Sequence, residues 1–292
     1  MTGQSSGRER AALLLPALLL LALVVVVPVL RVIQLSFTHV DLEGGMVASW
    51  AGLDHHLRVW RDGRWWTALR NTAVFTFASV GLELVLGIGF ALVLHQRLRG
   101  RGVLRAIVLL PWALPTAVMA LAWAWIFNDA FGVANDLLRR AGLIEAPIAW
   151  LGEPNSAMAA MVLADVWKTT PFVALIVLAG LQGIPETVIE AALIDGLGAW
   201  QRLRHIVLPL LMSTILVAVV FRAVQAYGAF DIVYVMTGGG PGGSTETVSL
   251  YAFQNYFRYL DFGYGSALAL QGVILAVALT AILVRLAQPR RA

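Results

Sequence analysis

Six apolar stretches, each roughly 20 residues or longer, constrain the fold of this 292-residue chain more than any other feature. They lie at residues 11–31, 71–94, 104–127, 157–180, 207–230 and 264–286. About 20 helical residues cross a hydrocarbon core of about 30 Å, where no water satisfies backbone amides. Charged residues make up only 13% of the chain, against about 25% in soluble domains. The sequence therefore predicts an all-α membrane protein with six transmembrane helices.

Two of these stretches carry features of their own. The first follows Arg8 and Arg10, but its apolar run is longer than a signal-peptide core and has no obvious small-residue cleavage site, so we expect a retained span. The third contains Pro111 and Pro115, each of which removes an intrahelical hydrogen bond. We therefore expect a bend in this span, acting either as a fixed kink or as a moving part.

The basic residues fix the expected orientation. With the N-terminus inside, the short inner loop at residues 96–105, QRLRGRGVLR, carries the strongest positive-inside signal. The inner segments hold Arg8, Arg10, Arg97, Arg99, Arg101, Arg105, Arg202, Arg204, Arg285, Arg290 and Arg291. We predict that both termini are cytoplasmic, and that these arginines account for the pI of about 9.8 without a nucleic-acid partner.

Several chemistries are excluded or disfavoured by the sequence. A P-loop requires Gly-Lys-Ser/Thr, but the only lysine, Lys168, follows a tryptophan inside an apolar span. The GGGPGG run at Gly238–Gly243 lacks a preceding strand and a following helix, which favours a flexible outer loop. Cysteine is absent, and His55 and His56 have no evident third ligand, so surface histidines are favoured over a metal site. We expect no catalytic residue, metal or cofactor in this chain.

Ionisable residues inside the spans point to a polar pathway. Each costs several kcal/mol in a bilayer unless it is paired or hydrated. They are Glu83, Asp165, Lys168 and Arg222, and the spacing of Asp165 and Lys168 allows a direct pair on one helix face. Two hypotheses remain open: these charges can line an aqueous cavity, or they can only join the helices through ion pairs.

The segment at 181–209 is polar for so apolar a chain. Pro185 begins a short helix, Gly196 ends it, and a second helix can start near Ala199. The result is a helix-turn-helix elbow on the arginine-rich side, with small residues Ala191 and Ala192 at a tip that another surface could approach. An amphipathic helix lying on the membrane and a docking element are both compatible with this pattern.

The elbow resembles the cytoplasmic signature of the membrane permeases of ATP-binding-cassette importers. The matching residues are Glu190, Ala191, Ala192, Asp195, Gly196, Ile206 and Pro209. DVWKTTPF at 165–172 and FDIVYVMTGGGPGGSTETVSLY at 230–251 are similar to the maltose/trehalose-type sugar permeases, in particular to the first of their two non-identical permease subunits.

This resemblance implies a type I importer transmembrane domain. It implies an N-terminal tail, first helix and outer loop at 1–70, a permease core of five helices at 71–286, and a coupling helix at 181–209 within the core. In the family that helix sits in a groove of an ATPase, so the seven signature residues would contact the ATPase or tie the elbow to the fifth span.

The implied partners are a second permease subunit forming a heterodimer, two copies of a cytosolic ATPase that holds ATP and Mg, an extracytoplasmic solute-binding protein and membrane lipid. The implied location is a bacterial inner membrane, and the implied substrate is a sugar such as trehalose or a related oligosaccharide or glucoside. Alternatives are glycerol phosphate or another polar solute, an ion-coupled secondary carrier, and a scaffold without transport.

Position and chemistry suggest a set of substrate-pathway residues, because sugars need hydrogen-bonding groups together with flat apolar faces. The set is Trp123, Trp125, Asp165, Lys168, Arg222, Gln225, Tyr227 and Asn255.

Overall fold

The computed structural model describes residues 7–41, 47–96 and 99–287. It divides into two compact units, one within Met1–Gly63 and Tyr251–Ile274, the other within Arg64–Leu250 and Leu275–Ala292. The topogenic Arg97, Arg290 and Arg291 lie outside the described residues, so the orientation stays a prediction.

In the part of the chain that the structure describes, the regular elements are helices and one small hairpin. Before the basic loop at residues 96–105 they are α1 (Gly7–Leu21), a π-helical turn (Ala22–Val26), α2 (Val27–Ser36), β1 (Thr38–Asp41), β2 (Val47–Trp50), α3 (Asp54–Arg61) and α4 (Gly63–His95). The next are α5 (Arg101–Ala113), α6 (Thr116–Ile126), α7 (Val133–Arg140), α8 (Pro154–Gln182), α9 (Glu186–Ile194), α10 (Ala199–Arg202), a π-helical turn (Leu203–Val207) and α11 (Leu208–Tyr227). The last are α12 (Asp231–Met236), α13 (Val248–Phe253), a π-helical turn (Gln254–Arg258) and α14 (Phe262–Ala287).

Within the described residues, five helical stretches are long and apolar enough to cross a membrane, and a sixth span is broken. The five are Leu14–Ser36, Gly63–His95, Pro154–Gln182, Ala199–Tyr227 and Phe262–Arg285. The predicted span at 104–127 is the pair α5 and α6, which meet at an angle of 89°. The expected bend is therefore a full break, because Pro115 has no N–H to continue the helix.

Helix α8 forms the centre of the larger unit. Of its apolar window 72% is buried, more than in any other span of the described chain. It packs against α5, α11 and α12. Its C-terminal half joins a core of apolar side chains from α4 and α11, made of Ala91, Leu94, Val173, Val177, Leu178, Leu181, Leu211 and Ala218.

One glycine explains how closely α4 approaches α8. A Cβ on Gly87 would lie 2.7 Å from Cγ1 of Val173 and 3.2 Å from the amide nitrogen of Ala174. Any side chain there would meet both a branched side chain and the backbone of α8. Gly89, two residues along, has nothing within 4 Å of the same position.

The glycine-rich segment after α12 is a closely fastened loop, which corrects the expectation of a flexible one. Glu246 is 2% exposed and accepts two hydrogen bonds of 2.7 Å from Arg64. Asn71 Nδ2 donates to the carbonyls of Gly243 at 2.9 Å and Glu246 at 3.1 Å. Thr72 Oγ1 accepts from the amide of Val248 at 2.9 Å. The N-terminal end of α4 thus holds this loop through side chains whose roles the sequence pattern did not reveal.

The smaller unit contains the hairpin, which pairs Thr38 with Trp50 in antiparallel register. His55 and His56 of α3 are buried, so the prediction of surface histidines is wrong. His55 Nε2 lies 3.2 Å from the carbonyl oxygen of Thr38, and burial lowers the pKa of both imidazoles below the ordinary histidine value. Both rings are therefore biased towards the neutral form.

Trp65 and Trp66, at the start of α4, are adjacent aromatic residues that the sequence suggests as membrane-interface anchors, and the structure contradicts this for Trp65. Its side chain is fully buried, whereas the adjacent Trp66 is exposed. On a helix, consecutive residues point in different directions, so the pair cannot anchor the membrane interface together. Only Trp66 retains that role.

The contact at Gly87 gives a direct test of the helix packing. Gly87→Ala and Gly89→Ala each gain about 1 kcal/mol of helix propensity in α4. Only the first forces a methyl group into Val173 and the α8 backbone, and overpacking of this kind costs about 1–3 kcal/mol. We expect Gly87→Ala to lower the thermal unfolding midpoint of the detergent-purified protein relative to Gly89→Ala. Equal midpoints for the two variants would contradict the packing described.

Candidate functional site

A buried ionic cluster joins three helices of the larger unit. Glu83 comes from α4, Asp165 from α8 and Arg222 from α11. Their exposed fractions are 0%, 8% and 3%. Three charges at this depth require mutual compensation, because the desolvation of each costs several kcal/mol.

Arg222 supplies that compensation to both carboxylates. Its Nε and Nη2 atoms donate to the two oxygens of Glu83 at 2.5 Å and 2.7 Å, a forked geometry that a guanidinium favours. Nη2 also donates to Asp165 at 2.9 Å, and Nη1 donates to Oε1 of Gln225 at 2.9 Å. The hydroxyl of Thr169 completes the shell of Glu83 with a hydrogen bond of 2.6 Å.

Lys168 is placed differently from the sequence expectation. The ion pair of Asp165 is with Arg222. The Lys168 ammonium instead donates to the backbone carbonyl of Trp112 at 3.3 Å, across the gap between α8 and the end of α5. The i,i+3 spacing allowed a pair with Asp165, but Arg222 reaches the same carboxylate from a neighbouring helix.

Asp165 and Arg222 of this cluster line a polar cavity of about 360 Å³. Four predicted pathway residues line it: Asp165, Lys168, Arg222 and Gln225. The sequence reasoning missed the other lining groups, which are Trp112, Thr116, Thr169, Gly228, Ala229, Phe230, Asp231 and Ile232. The volume lies within the range of about 300–1,000 Å³ that is typical of small-molecule sites.

The cavity lies where two helices are interrupted. Trp112 and Thr116 flank the break between α5 and α6, and Gly228, Ala229 and Phe230 form the break between α11 and α12. Backbone groups at such breaks lack their helical partners and can serve a ligand, provided that the irregular backbone lines a cavity. Pro111 and Pro115 predicted the first break, whereas the second break was not predicted from the sequence.

Trp112 lines the cavity, and its indole ring is packed against other aromatic rings. Its ring stacks on Phe172 with a centroid distance of 5.8 Å and an interplanar angle of 18°. Phe172 in turn contacts the ring of Phe221 at 6.4 Å. A flat apolar surface next to hydrogen-bonding groups suits the face of a sugar ring.

The remaining predicted pathway residues lie elsewhere. Trp123 packs against Phe127 and Trp167, with centroid distances of 5.4 Å and 5.7 Å, and does not line the cavity. Trp125 is 68% exposed. Tyr227 is buried one residue before the second break. Asn255 belongs to the smaller unit, where its amide donates to the carbonyl of Tyr251 at 2.9 Å.

The elbow forms as its sequence predicts. Helix α9 runs from Glu186 to Ile194, and Gly196 follows with a φ of 75°. The amide of Leu197 donates to the carbonyl of Ala192 at 3.1 Å, and that of Gly196 to the carbonyl of Leu193 at 3.0 Å. These two bonds make a Schellman motif, which needs the left-handed backbone that glycine adopts without strain.

The exposed surface of the elbow differs in part from the predicted one. Glu190, Ala191 and Asp195 are exposed, but Ala192 is only 3% exposed and is packed within the chain. Ile206 is half-buried, and Pro209 is exposed in the first turn of α11. Three large apolar side chains of the elbow that lie outside the predicted contact set are also exposed, Leu193 at 53%, Ile194 at 87% and Trp200 at 68%. An apolar tip of this kind suits burial against another surface.

Known proteins resemble this chain in both sequence and fold. Residues 83–292 match the family described as the binding-protein-dependent transport system inner membrane component. The chain is 44% identical over 279 residues to the trehalose/maltose transport system permease protein of Thermococcus litoralis, covering 96% of this chain and 93% of that protein. It is 42% identical over 274 residues to the sulfoquinovosyl glycerol transport system permease protein of Agrobacterium fabrum, covering 94% and 88%.

Among solved structures, the fold matches a chain in a bacterial ABC transporter involved in the import of the acidic polysaccharide alginate. The TM-score is 0.80 at 19% identity, over 96% of this chain and 95% of that chain. At this identity the match concerns the fold alone. The predicted importer transmembrane-domain fold is confirmed; the bend expected in the third span is a full break, and the small hairpin was not predicted.

The ionic cluster yields a stability prediction. Arg222→Met leaves Glu83 and Asp165 buried without their cation, and breaking a buried pair in this way costs about 3–5 kcal/mol. We expect a large fall in the thermal unfolding midpoint of the detergent-purified protein. The triple variant Glu83→Gln, Asp165→Asn, Arg222→Met should recover much of the loss because no uncompensated charge remains. Arg204→Met removes an exposed arginine and serves as the control; an equal effect in Arg222→Met and Arg204→Met would refute the role of the cluster.

Proposed function

The chain belongs to the family of binding-protein-dependent transport system inner membrane components, and we propose that it is the permease subunit that forms half of the translocation pathway of an ATP-driven sugar importer. The cavity between the broken helices carries this proposal. It places a polar wall and a stacked tryptophan inside the membrane-spanning part of the larger unit. Midplane sites at discontinuous helices are where transporters bind polar solutes.

A neutral sugar fits the charges of the cavity better than an anion. Asp165 and Asp231 line it together with Lys168 and Arg222, and Glu83 lies directly behind Arg222. The surroundings thus carry no net positive charge to attract a phosphate or sulfonate. A disaccharide such as those named for the trehalose/maltose permease of Thermococcus litoralis is the class that we assign. Glycerol phosphate is the less suitable alternative.

We assign the energy source to a separate ATPase that holds ATP and Mg and docks on the elbow. Ile194, Leu193 and Trp200 offer the apolar contact area, and Glu190 and Asp195 offer charges at its edge. An amphipathic helix that presents such a face suits a groove on a partner. A second permease subunit, two ATPase copies and an extracytoplasmic solute-binding protein complete the proposed assembly, with both termini of this chain in the cytoplasm.

Reconstitution tests the proposed function. Proteoliposomes containing both permease subunits and the ATPase should take up labelled disaccharide only when ATP is supplied to the ATPase side and the binding protein to the other. The purified chain alone should transport nothing under a proton or sodium gradient. Gradient-driven uptake by the chain alone would overturn the importer assignment in favour of an ion-coupled carrier. The ligand that co-purifies with the binding protein identifies the sugar, and a sugar phosphate there would contradict the neutral class.

The elbow can be tested with the same charge reversal at two exposed glutamates, Glu190 in α9 and Glu145 in the segment before α8. Glu190→Lys should weaken ATPase docking, because a cation replaces a carboxylate beside the apolar tip. Glu145→Lys makes the same change at an exposed residue before α8 begins. We expect the amount of ATPase that co-purifies to fall for Glu190→Lys and to stay at the wild-type level for Glu145→Lys. Equal co-purification in both variants would remove Glu190 from the interface.

Gly196 provides a second test of the elbow. Nothing lies within 4 Å of a Cβ at this position, so a substitution strains only the backbone. A left-handed conformation costs an ordinary residue about 1–2 kcal/mol, and asparagine tolerates it best. We expect Gly196→Val to lower the amount of sugar transported per ATP hydrolysed, whereas Gly196→Asn retains most of it. Full coupling in Gly196→Val would show that the turn geometry is dispensable.

A further inference from the structure

The broken end of α5 leaves backbone carbonyls without helical donors. Trp112 is the second-to-last residue of α5, and the chain turns through 89° before α6 begins at Thr116. The last four carbonyls of any helix lack intrahelical partners, and Pro115 has no N–H to offer across the break. A carbonyl in this position inside a membrane span needs another donor.

Lys168 provides that donor from α8. Its ammonium lies 3.3 Å from the Trp112 carbonyl oxygen, and its side chain is only 8% exposed. A cation at the C-terminal end of a helix is also favoured by the helix dipole. The contact therefore ties the broken end of α5 to the most deeply packed helix of the larger unit.

The two basic groups of the cavity are held in different ways. Arg222 makes four hydrogen bonds of 2.5–2.9 Å to Glu83, Asp165 and Gln225. Among the described residues, Lys168 makes one hydrogen bond, at a longer distance and to a neutral carbonyl, from a flexible side chain that carries three donors. A ligand that enters the cavity can therefore exchange with the partner of Lys168 far more easily than with those of Arg222.

We propose that Lys168 couples occupancy of the cavity to the break between α5 and α6. In the empty cavity its ammonium holds the Trp112 carbonyl. When a sugar enters, the ammonium donates to a hydroxyl oxygen of the ligand, and the end of α5 is released. This inference rests on the proposed function for the class of ligand, but it concerns a motion that can be measured without transport.

The chain contains no cysteine, so a single cysteine can report on the break. Leu114→Cys places a thiol between the two helices, where the native side chain is 42% exposed. The rate of its reaction with a methanethiosulfonate reagent would be measured in the purified permease–ATPase complex, with and without saturating trehalose or maltose. Leu143→Cys, at a position that is 70% exposed outside the spans, is the matched reporter that should not respond to sugar.

With Lys168 present, we expect sugar to raise the labelling rate at residue 114 by about tenfold, the scale of one hydrogen bond to a charged group. Lys168→Met keeps the length of the side chain but removes its donors, so labelling should be fast with and without sugar. Lys168→Arg keeps a cation and should restore part of the sugar dependence. Trehalose and maltose are the probes, and the anionic trehalose 6-phosphate should produce a smaller change.

Two results would overturn the inference. One is that sugar changes the labelling rate at residue 114 as much in Lys168→Met as in the protein with Lys168. The other is that no sugar alters the labelling rate at residue 114 in the protein with Lys168. If the Lys168→Met complex does not assemble, Lys168→Arg is compared with the Lys168 protein instead. An unchanged effect of sugar on the labelling rate in Lys168→Arg would exclude a role for the ammonium geometry. Failure of the proposed function has a different signature, since uptake would then be absent from proteoliposomes whatever the labelling shows.

Discussion

The arrangement of the larger unit depends on the ionic hydrogen bonds that the buried guanidinium of Arg222 makes with Glu83 and Asp165. A charge with 3% exposure is tolerated only where its partners surround it, so Glu83 and Asp165 must meet it at hydrogen-bonding distance. That requirement fixes the relative rotation and height of α4, α8 and α11. Apolar packing alone leaves such freedom in a membrane, because lipid tails satisfy an apolar surface equally well. The close contact at Gly87 then follows from the same alignment of α4 with α8.

The cavity is polar partly because several polar groups beside it do not take part in the Arg222 network. The two carboxylates nearest Arg222 are engaged with it, while Lys168, Asp231 and the interrupted ends of α5 and α11 face the open volume. The cavity is therefore lined both by Arg222, whose hydrogen bonds hold it rigidly, and by Lys168, whose one hydrogen bond can exchange. A site that must bind a solute and then release it benefits from this division, because the wall keeps its shape while a single hydrogen bond changes partner. Trp112 belongs to both parts, since its ring is stacked and its carbonyl can exchange.

Connections outside the spans are as well defined as the helices that they join. The elbow ends α9 with two backbone bonds around Gly196, and the glycine-rich segment is held to α4 by Arg64 and Asn71. Loops fixed in this way transmit a displacement instead of absorbing it. In a transporter driven by separate subunits, such connections give a partner on either side a firm point of contact, which suits the proposed assembly.

The sequence by itself determined the membrane class, the number of spans, the elbow with its glycine stop and the family. Each of these depends on local apolar content or on a short motif, and such local patterns can be recognised in the sequence without knowledge of the fold. It also singled out Glu83, Asp165, Lys168 and Arg222, because charge in an apolar span is costly wherever the span packs. Only the tertiary structure decided which of these residues pair, that His55, His56, Trp65 and Ala192 are buried, and that Trp112 and Asp231 join the cavity while Trp123 and Trp125 do not line it. Those outcomes depend on which helix lies beside which, and residues as far apart as Glu83 and Arg222 meet only after the helices have packed.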